Sequence, residues 1–262
     1  MIPPFHWWRT VFWLIPAISV YTLVLGALSL VSMMVDRKGH VAHWCARTWS
    51  RLILLTTGVS VTTEGLDRVP RDASYVFVSN HQSIYDIPIV FANIPFELRI
   101  IAKSSLGAFP VLGWHLRYTG HLLVDRARAG VATLRKIVGL MRCGHSLIVF
   151  PEGTRSTDGK VGRFKAGLFL AAVESGLPVV PVAIIGSRHV MLKGRLMTCP
   201  GKIELVVHEP ISTKGMEKSD IRAFADRSQA VVEATIADRG QRVDAANGFP
   251  RPTVSLPNKS ER

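Results

Sequence analysis

A chain of 262 residues is long enough for one large α/β domain with its own core and too short for two such domains plus a membrane segment. Lys and Arg number 32 against 19 Asp and Glu, and the net charge of +13 suits an anionic membrane surface, anionic substrates or nucleic acid alike. No basic run is interleaved with stacking aromatics, so no nucleic-acid partner is expected. Cys45, Cys143 and Cys199 form neither a Cys-x-x-Cys pair nor a zinc-spaced set, and His40 and His43 lack a third ligand. The expectation is reduced structural cysteines and no metal.

The chain begins with its most apolar stretch. Residues 11–35 hold 25 positions without a charge, enough to cross a hydrocarbon core of about 30 Å at 1.5 Å per residue. The stretch is too long for a signal peptide, lacks a small-x-small exit and runs into Asp36, Arg37 and Lys38, so it reads as a retained anchor. Trp7, Trp8 and Trp13 suit an interfacial belt. Arg37, Lys38, Arg47 and Arg51 after the stretch outnumber Arg9 before it, which predicts a cytoplasmic-membrane protein with its main domain on the cytoplasmic side. Residues 40–57 follow with Val41, Trp44, Trp49 and Leu52–Leu55 on a helical period, read either as an interfacial helix or as a core helix, with Gly58 as its stop.

Three regions are therefore expected: a membrane-anchoring helical pair over 1–58, a catalytic domain over 59–238, and a disordered polar tail over 239–262. Within the middle region, apolar β-rich runs predict strands at 75–79, 98–102, 121–124, 147–150, 179–185 and 203–208. Helical patterns fall at 84–92, 131–142, 165–175 and 219–237. Such alternation predicts an α/β fold, a mixed, mostly parallel sheet flanked by helices.

Two segments directly after strands carry the reactive groups. In Asn80-His81-Gln82-Ser83-Ile84-Tyr85-Asp86 a histidine precedes a carboxylate by five positions. On one helix that spacing would turn the side chains about 140° apart. They meet only if His81 lies in the loop and Asp86 in the first helical turn. The carboxylate would then hold Nδ1–H and leave Nε2 to take a proton; the alternative is an ordinary loop histidine beside a helix-start aspartate. In Phe150-Pro151-Glu152-Gly153-Thr154-Arg155-Ser156 a glycine stands beside a guanidinium and hydroxyls, the makings of a phosphate cradle or of a plain solvated turn.

These two segments resemble the His-x4-Asp and Phe-Pro-Glu-Gly-Thr-Arg-Ser boxes of the 1-acyl-sn-glycerol-3-phosphate acyltransferase family. Lys103-Ser104-Ser105-Leu106-Gly107, Gly120-His121-Leu122-Leu123-Val124-Asp125-Arg126 and Val180-Pro181-Val182-Ala183-Ile184 resemble the family's other boxes, in its order. The resemblance implies that His81 is the general base and Asp86 its orienting partner. It implies that Glu152, Gly153, Thr154 and Arg155 help hold the acceptor's phosphate, that Arg126 joins in binding the acceptor, and that Lys103 lies near its headgroup. It implies a fatty acyl transfer from acyl-CoA or acyl carrier protein to a lysophospholipid, in phospholipid biosynthesis at a membrane, with no cofactor. His121 departs from the family's usual Phe or Ile and reads as a structural histidine. Lyso-ornithine lipid and glycerol 3-phosphate are alternative acceptors, since the boxes report acyl transfer better than headgroup. A serine hydrolase is disfavoured, there being no Gly-x-Ser-x-Gly.

Overall fold

The computed structural model describes residues 4–36, 39–125 and 130–248. Helix α1 (Phe5–Arg9) passes through a π-turn at Thr10–Leu14 into α2 (Ile15–Ser32). Helix α3 (His40–Thr57) returns along it and stops at Gly58, whose φ of 76° is the left-handed conformation that a glycine adopts without steric cost. Then follow β1 (Val59–Glu64), β2 (Val76–Ser79), α4 (Asp86–Asn93), β3 (Leu98–Lys103), α5 (Leu112–Tyr118), β4 (Leu122–Val124) and α6 (Val131–Arg142). The chain continues through β5 (Ser146–Val149), α7 (Ala166–Ser175), β6 (Val179–Ile185), a short α8 (Ser187–Val190), β7 (Gly201–Val207) and α9 (Ile221–Ala246).

One seven-stranded sheet runs in the order β1-β7-β6-β2-β5-β3-β4. Every pairing is parallel except β6 with β7. The expected mixed, mostly parallel α/β sheet is therefore the observed one. Alternation along each strand divides the core in two. Phe77, Ile100, Ile148, Val182 and Leu205 face α3 and α4, while Val76, Val78, Leu147, Val149 and Ala183 face α6, α7 and α9. Burying each large apolar side chain stabilises the fold by about 1.5–3 kcal/mol.

Two observations at the ends go beyond the sequence reading. Helix α9 continues to Ala246, so the segment expected as tail from residue 239 begins inside a helix. Its polar residues are engaged at the sheet edge: Arg239 pairs with Glu64 of β1, and Arg242 Nη2 donates to Glu204 of β7 at 2.8 Å. Asn247 Nδ2 then donates to Lys202 O at 2.9 Å. The remainder of the expected tail, 249–262, lies outside the described residues. At the other end, the apolar helix lies along the domain instead of projecting from it. Arg9 donates to Thr57 O at 2.6 Å, Trp49 Nε1 to Thr22 Oγ1 at 2.9 Å, the Thr198 backbone to Thr10 Oγ1 at 2.8 Å, and Ser29 Oγ meets His115 Nδ1 at 2.6 Å.

Candidate active site

Strand β2 ends at Ser79, and Asn80 fixes the way the chain leaves the sheet. Its amide donates to Ile184 O at 2.8 Å and accepts the Ile184 N–H at 2.9 Å, so the side chain continues the β2–β6 ladder in place of backbone. The loop then turns, and Asp86 opens α4. The two conditions set by the five-residue spacing are both met, with His81 in the loop and Asp86 in the first turn. Asp86 Oδ2 accepts three hydrogens: from His81 Nδ1 at 2.7 Å, Gln82 N at 2.8 Å and Ser83 N at 2.9 Å. The carboxylate is wholly buried and His81 is 8% exposed. With Nδ1–H held by the carboxylate, the lone pair of the neutral ring is at Nε2. Phe150 stacks on the imidazole with centroids 4.2 Å apart, which restricts its rotation.

The second loop is bound to the first through Glu152. Its Oε1 accepts the His81 backbone N–H at 2.6 Å and its Oε2 the Gly162 N–H at 2.8 Å, and the Ser156 N–H donates to His81 O at 2.8 Å. Burial pushes the Glu152 carboxyl up to about 7, opposed by those two N–H donors. Both Glu152 oxygens thus face backbone donors, and the side chain ties the two loops together. Gly153 has φ 72°, a conformation that glycine adopts without steric cost, and the end of the Lys165 side chain lies against it. Thr154 is exposed and accepts from Lys193 Nζ at 3.1 Å, and the same ammonium donates to Arg155 O at 2.9 Å.

Beside His81 opens a cavity of about 370 Å³. Leu25, Trp49, Phe91, Ile100 and Leu116 give it apolar walls, and Lys103 and Arg155 stand with His81 among its lining groups. Its size falls in the range of small-ligand sites, and its walls suit a hydrocarbon chain. Arg126, implied in acceptor binding, lies outside the described residues.

The acyltransferase family model matches residues 60–185. A chloroplastic 1-acyl-sn-glycerol-3-phosphate acyltransferase of Arabidopsis thaliana is 33% identical over 197 residues, covering 74% of this chain and 53% of the relative. The enzyme of that name from Saccharomyces cerevisiae is 28% identical over 221 residues, covering 82% and 73%. The crystal structure of the 1-acyl-sn-glycerophosphate acyltransferase PlsC from Thermotoga maritima superposes with a TM-score of 0.76 at 31% identity, over 87% of this chain and 94% of that one. The chain belongs to the 1-acyl-sn-glycerol-3-phosphate acyltransferase family.

The family model spans β1 to β6 with both boxed loops, and the superposition extends over most of both chains. By contrast, the chain spans only about half the length of the Arabidopsis relative, which is the longer protein. The apolar helix from Phe5 to Ser32, with 11% of its most apolar window buried, marks this member as membrane-associated. Asp86 and Glu152 both bond to His81, and Lys103 at the end of β3 and Arg155 line the cavity with it. Lys193 was not singled out by sequence. It lies outside every box, and only the fold carries it to the second loop.

Proposed function

We propose that the protein transfers a fatty acyl chain from acyl-CoA or acyl carrier protein to the sn-2 hydroxyl of 1-acyl-sn-glycerol 3-phosphate, giving phosphatidic acid. The observation that carries this reading is an imidazole with Nδ1 locked on a buried carboxylate, at an apolar cavity flanked by cations. The hydroxyl gives its proton to His81 Nε2, and its oxygen attacks the thioester carbonyl. The carbon–sulfur bond then breaks, and the thiolate recovers the proton from the imidazolium. No covalent acyl-enzyme is required. Arg155 and Lys103 supply donors and positive charge for the acceptor phosphate, and Lys193 holds the Arg155 loop by its carbonyl.

The helical pair supports a membrane-docked enzyme. Because polar contacts at Thr10 and Ser29 bind the apolar helix to the domain, the helix enters one leaflet beside the domain rather than crossing the bilayer alone. Leu55, Trp44, Trp13 and Phe12 lie exposed on the two helices, and the basic residues following the apolar stretch support a domain on the cytoplasmic face. The test is thiol release from palmitoyl-CoA or palmitoyl carrier protein with lysophosphatidate, lyso-ornithine lipid or glycerol 3-phosphate as acceptor. Release stimulated by lysophosphatidate supports the proposal. Release stimulated only by another acceptor contradicts the assigned headgroup, and release stimulated by none contradicts acyl transfer.

A further inference from the structure

The apolar cavity has two polar breaks away from His81. His115 of α5 and His121 at the head of β4 both line it, with ring centroids 5.6 Å apart. His121 Nδ1 accepts the Ile100 backbone N–H at 3.1 Å, so its proton must reside on Nε2. His115 Nδ1 is taken by Ser29 Oγ at 2.6 Å. Among the described residues no hydrogen bond reaches the Nε2 of either ring. Nor are these two nitrogens sealed by protein atoms, as both ring nitrogens of nearby His43 are. They therefore present unused hydrogen-bonding capacity to the cavity space.

A phenylalanine would fill either position without that polar edge. Leaving a donor unpaired against hydrocarbon is unfavourable, whereas meeting an oxygen there is favourable. Burial holds both rings neutral, His115 down at about 4 and His121 well below its usual range, with the Arg99 charge acting in the same direction. Neutral imidazoles offer one donor or one acceptor each, which fits a neutral hydroxyl, whereas a carboxylate would bring an unpaired charge between apolar walls. Their place along the chain follows from the sheet. His121 is bonded to β3 and begins β4, the second and third strands beyond β2. At about 4.8 Å per strand that is roughly 10–15 Å across the sheet from the His81 loop, and the register sets His121 further away along the strands, level with Phe77. A chain whose thioester lies at His81 meets the histidines in its far half.

We propose that His115 and His121 form a recognition point for a hydroxyl carried on the far half of the acyl chain, making mid-chain hydroxyacyl groups preferred substrates. This rests on the acyl-transfer reading of the site. Either the donor's chain or the acceptor's own chain could bring the hydroxyl, and the test separates them.

The experiment compares kcat/KM of the full chain for 12-hydroxystearoyl-CoA and stearoyl-CoA with one lysophosphatidate. A second arm keeps palmitoyl-CoA and places the same two chains on the lysophosphatidate. A third compares 3-hydroxymyristoyl-CoA with myristoyl-CoA. The expected result is a preference of about tenfold, the scale of one net hydrogen bond, in the first or second arm and none in the third. His121→Phe and His115→Phe should each bring the ratio towards one. General damage to the fold lowers both rates and leaves their ratio unchanged, so the ratio remains informative. Equal rates in the first two arms, or a preference unaltered in both variants, overturn the proposal. Failure of wild type to use stearoyl-CoA at all overturns instead the acyl-transfer reading beneath it.

Discussion

Asp86 Oδ2 accepts hydrogens from a ring and from two backbone amides, so one buried oxygen both selects the imidazole tautomer and shapes the loop that bears it. Asp86→Asn keeps the volume but replaces part of that acceptor with a donor. It should lower kcat by about 10²–10⁴-fold, the span of general-base catalysis, with a smaller effect on KM for the acyl donor. A change below threefold in steady-state kcat would contradict the orienting role. Buried titratable groups set a second expectation. His43 and His115 are held down at about 4 by burial, so below pH 6.5 the unfolded chain takes up protons that the folded one refuses. Their stabilisation is present above pH 6.5 and is lost as pH falls towards 4. Glu152, raised to about 7, acts oppositely, stabilising most below about pH 4.5 and least above 7. The histidines outnumber it, and His121 is shifted in their direction. Melting temperature should therefore fall between pH 7 and pH 5, and a flat or rising profile by calorimetry would contradict the burial of these rings. The partnership of His81 and Asp86 was legible because their spacing admits contact in only one local conformation. The inward turn of Glu152 was not, since its partner Gly162 is fixed by the loop's tertiary path and not by any pattern.

Among elements, the contact of α2 with α5 is the tightest constraint on the cavity wall. A Cβ on Gly26 would stand 2.4 Å from Val111 Cγ1, and Gly26 itself lines the cavity. Gly26→Val should destabilise the protein by about 1–3 kcal/mol, as overpacking does, and reduce turnover of long acyl chains more than of short ones. Denaturant midpoints and a chain-length series check both, and an unaltered midpoint would contradict the close approach. Helix α5 was absent from the sequence reading for a related reason. It is short, starts after Val111 at φ 60°, and depends on Gly113, whose Cβ would meet Gly107 O at 2.4 Å. Such a helix is imposed by packing and leaves no long periodic signal. Strand β1 was missed although Val59–Glu64 is rich in β-branched residues, because its partner, β7, lies far along the chain and leaves no local mark on it. In contrast α6 and β6 were expected at their observed bounds, where amphipathic period and continuous apolar burial leave less ambiguity.

For the whole molecule, sheet order does what sequence order cannot. Strands β2 and β5 are adjacent, so the loops after them converge although 71 residues separate His81 from Glu152. The helical pair then forms the cavity's outer wall, so the pair and the candidate site are one assembly rather than two joined parts. The fold class was legible because alternating runs imply a helix-covered sheet; the cavity was not, as its walls come from α2 through to the loop after β5 and their meeting is purely tertiary. The central claim is that His81 is the base for transfer to lysophosphatidate. The most direct measurement is phosphatidate formation from palmitoyl-CoA by wild type and His81→Ala, on protein whose melting curves agree within a few degrees. The account predicts that turnover in the variant falls by at least about 10²-fold while the fold persists. Turnover within a few-fold of wild type would contradict it.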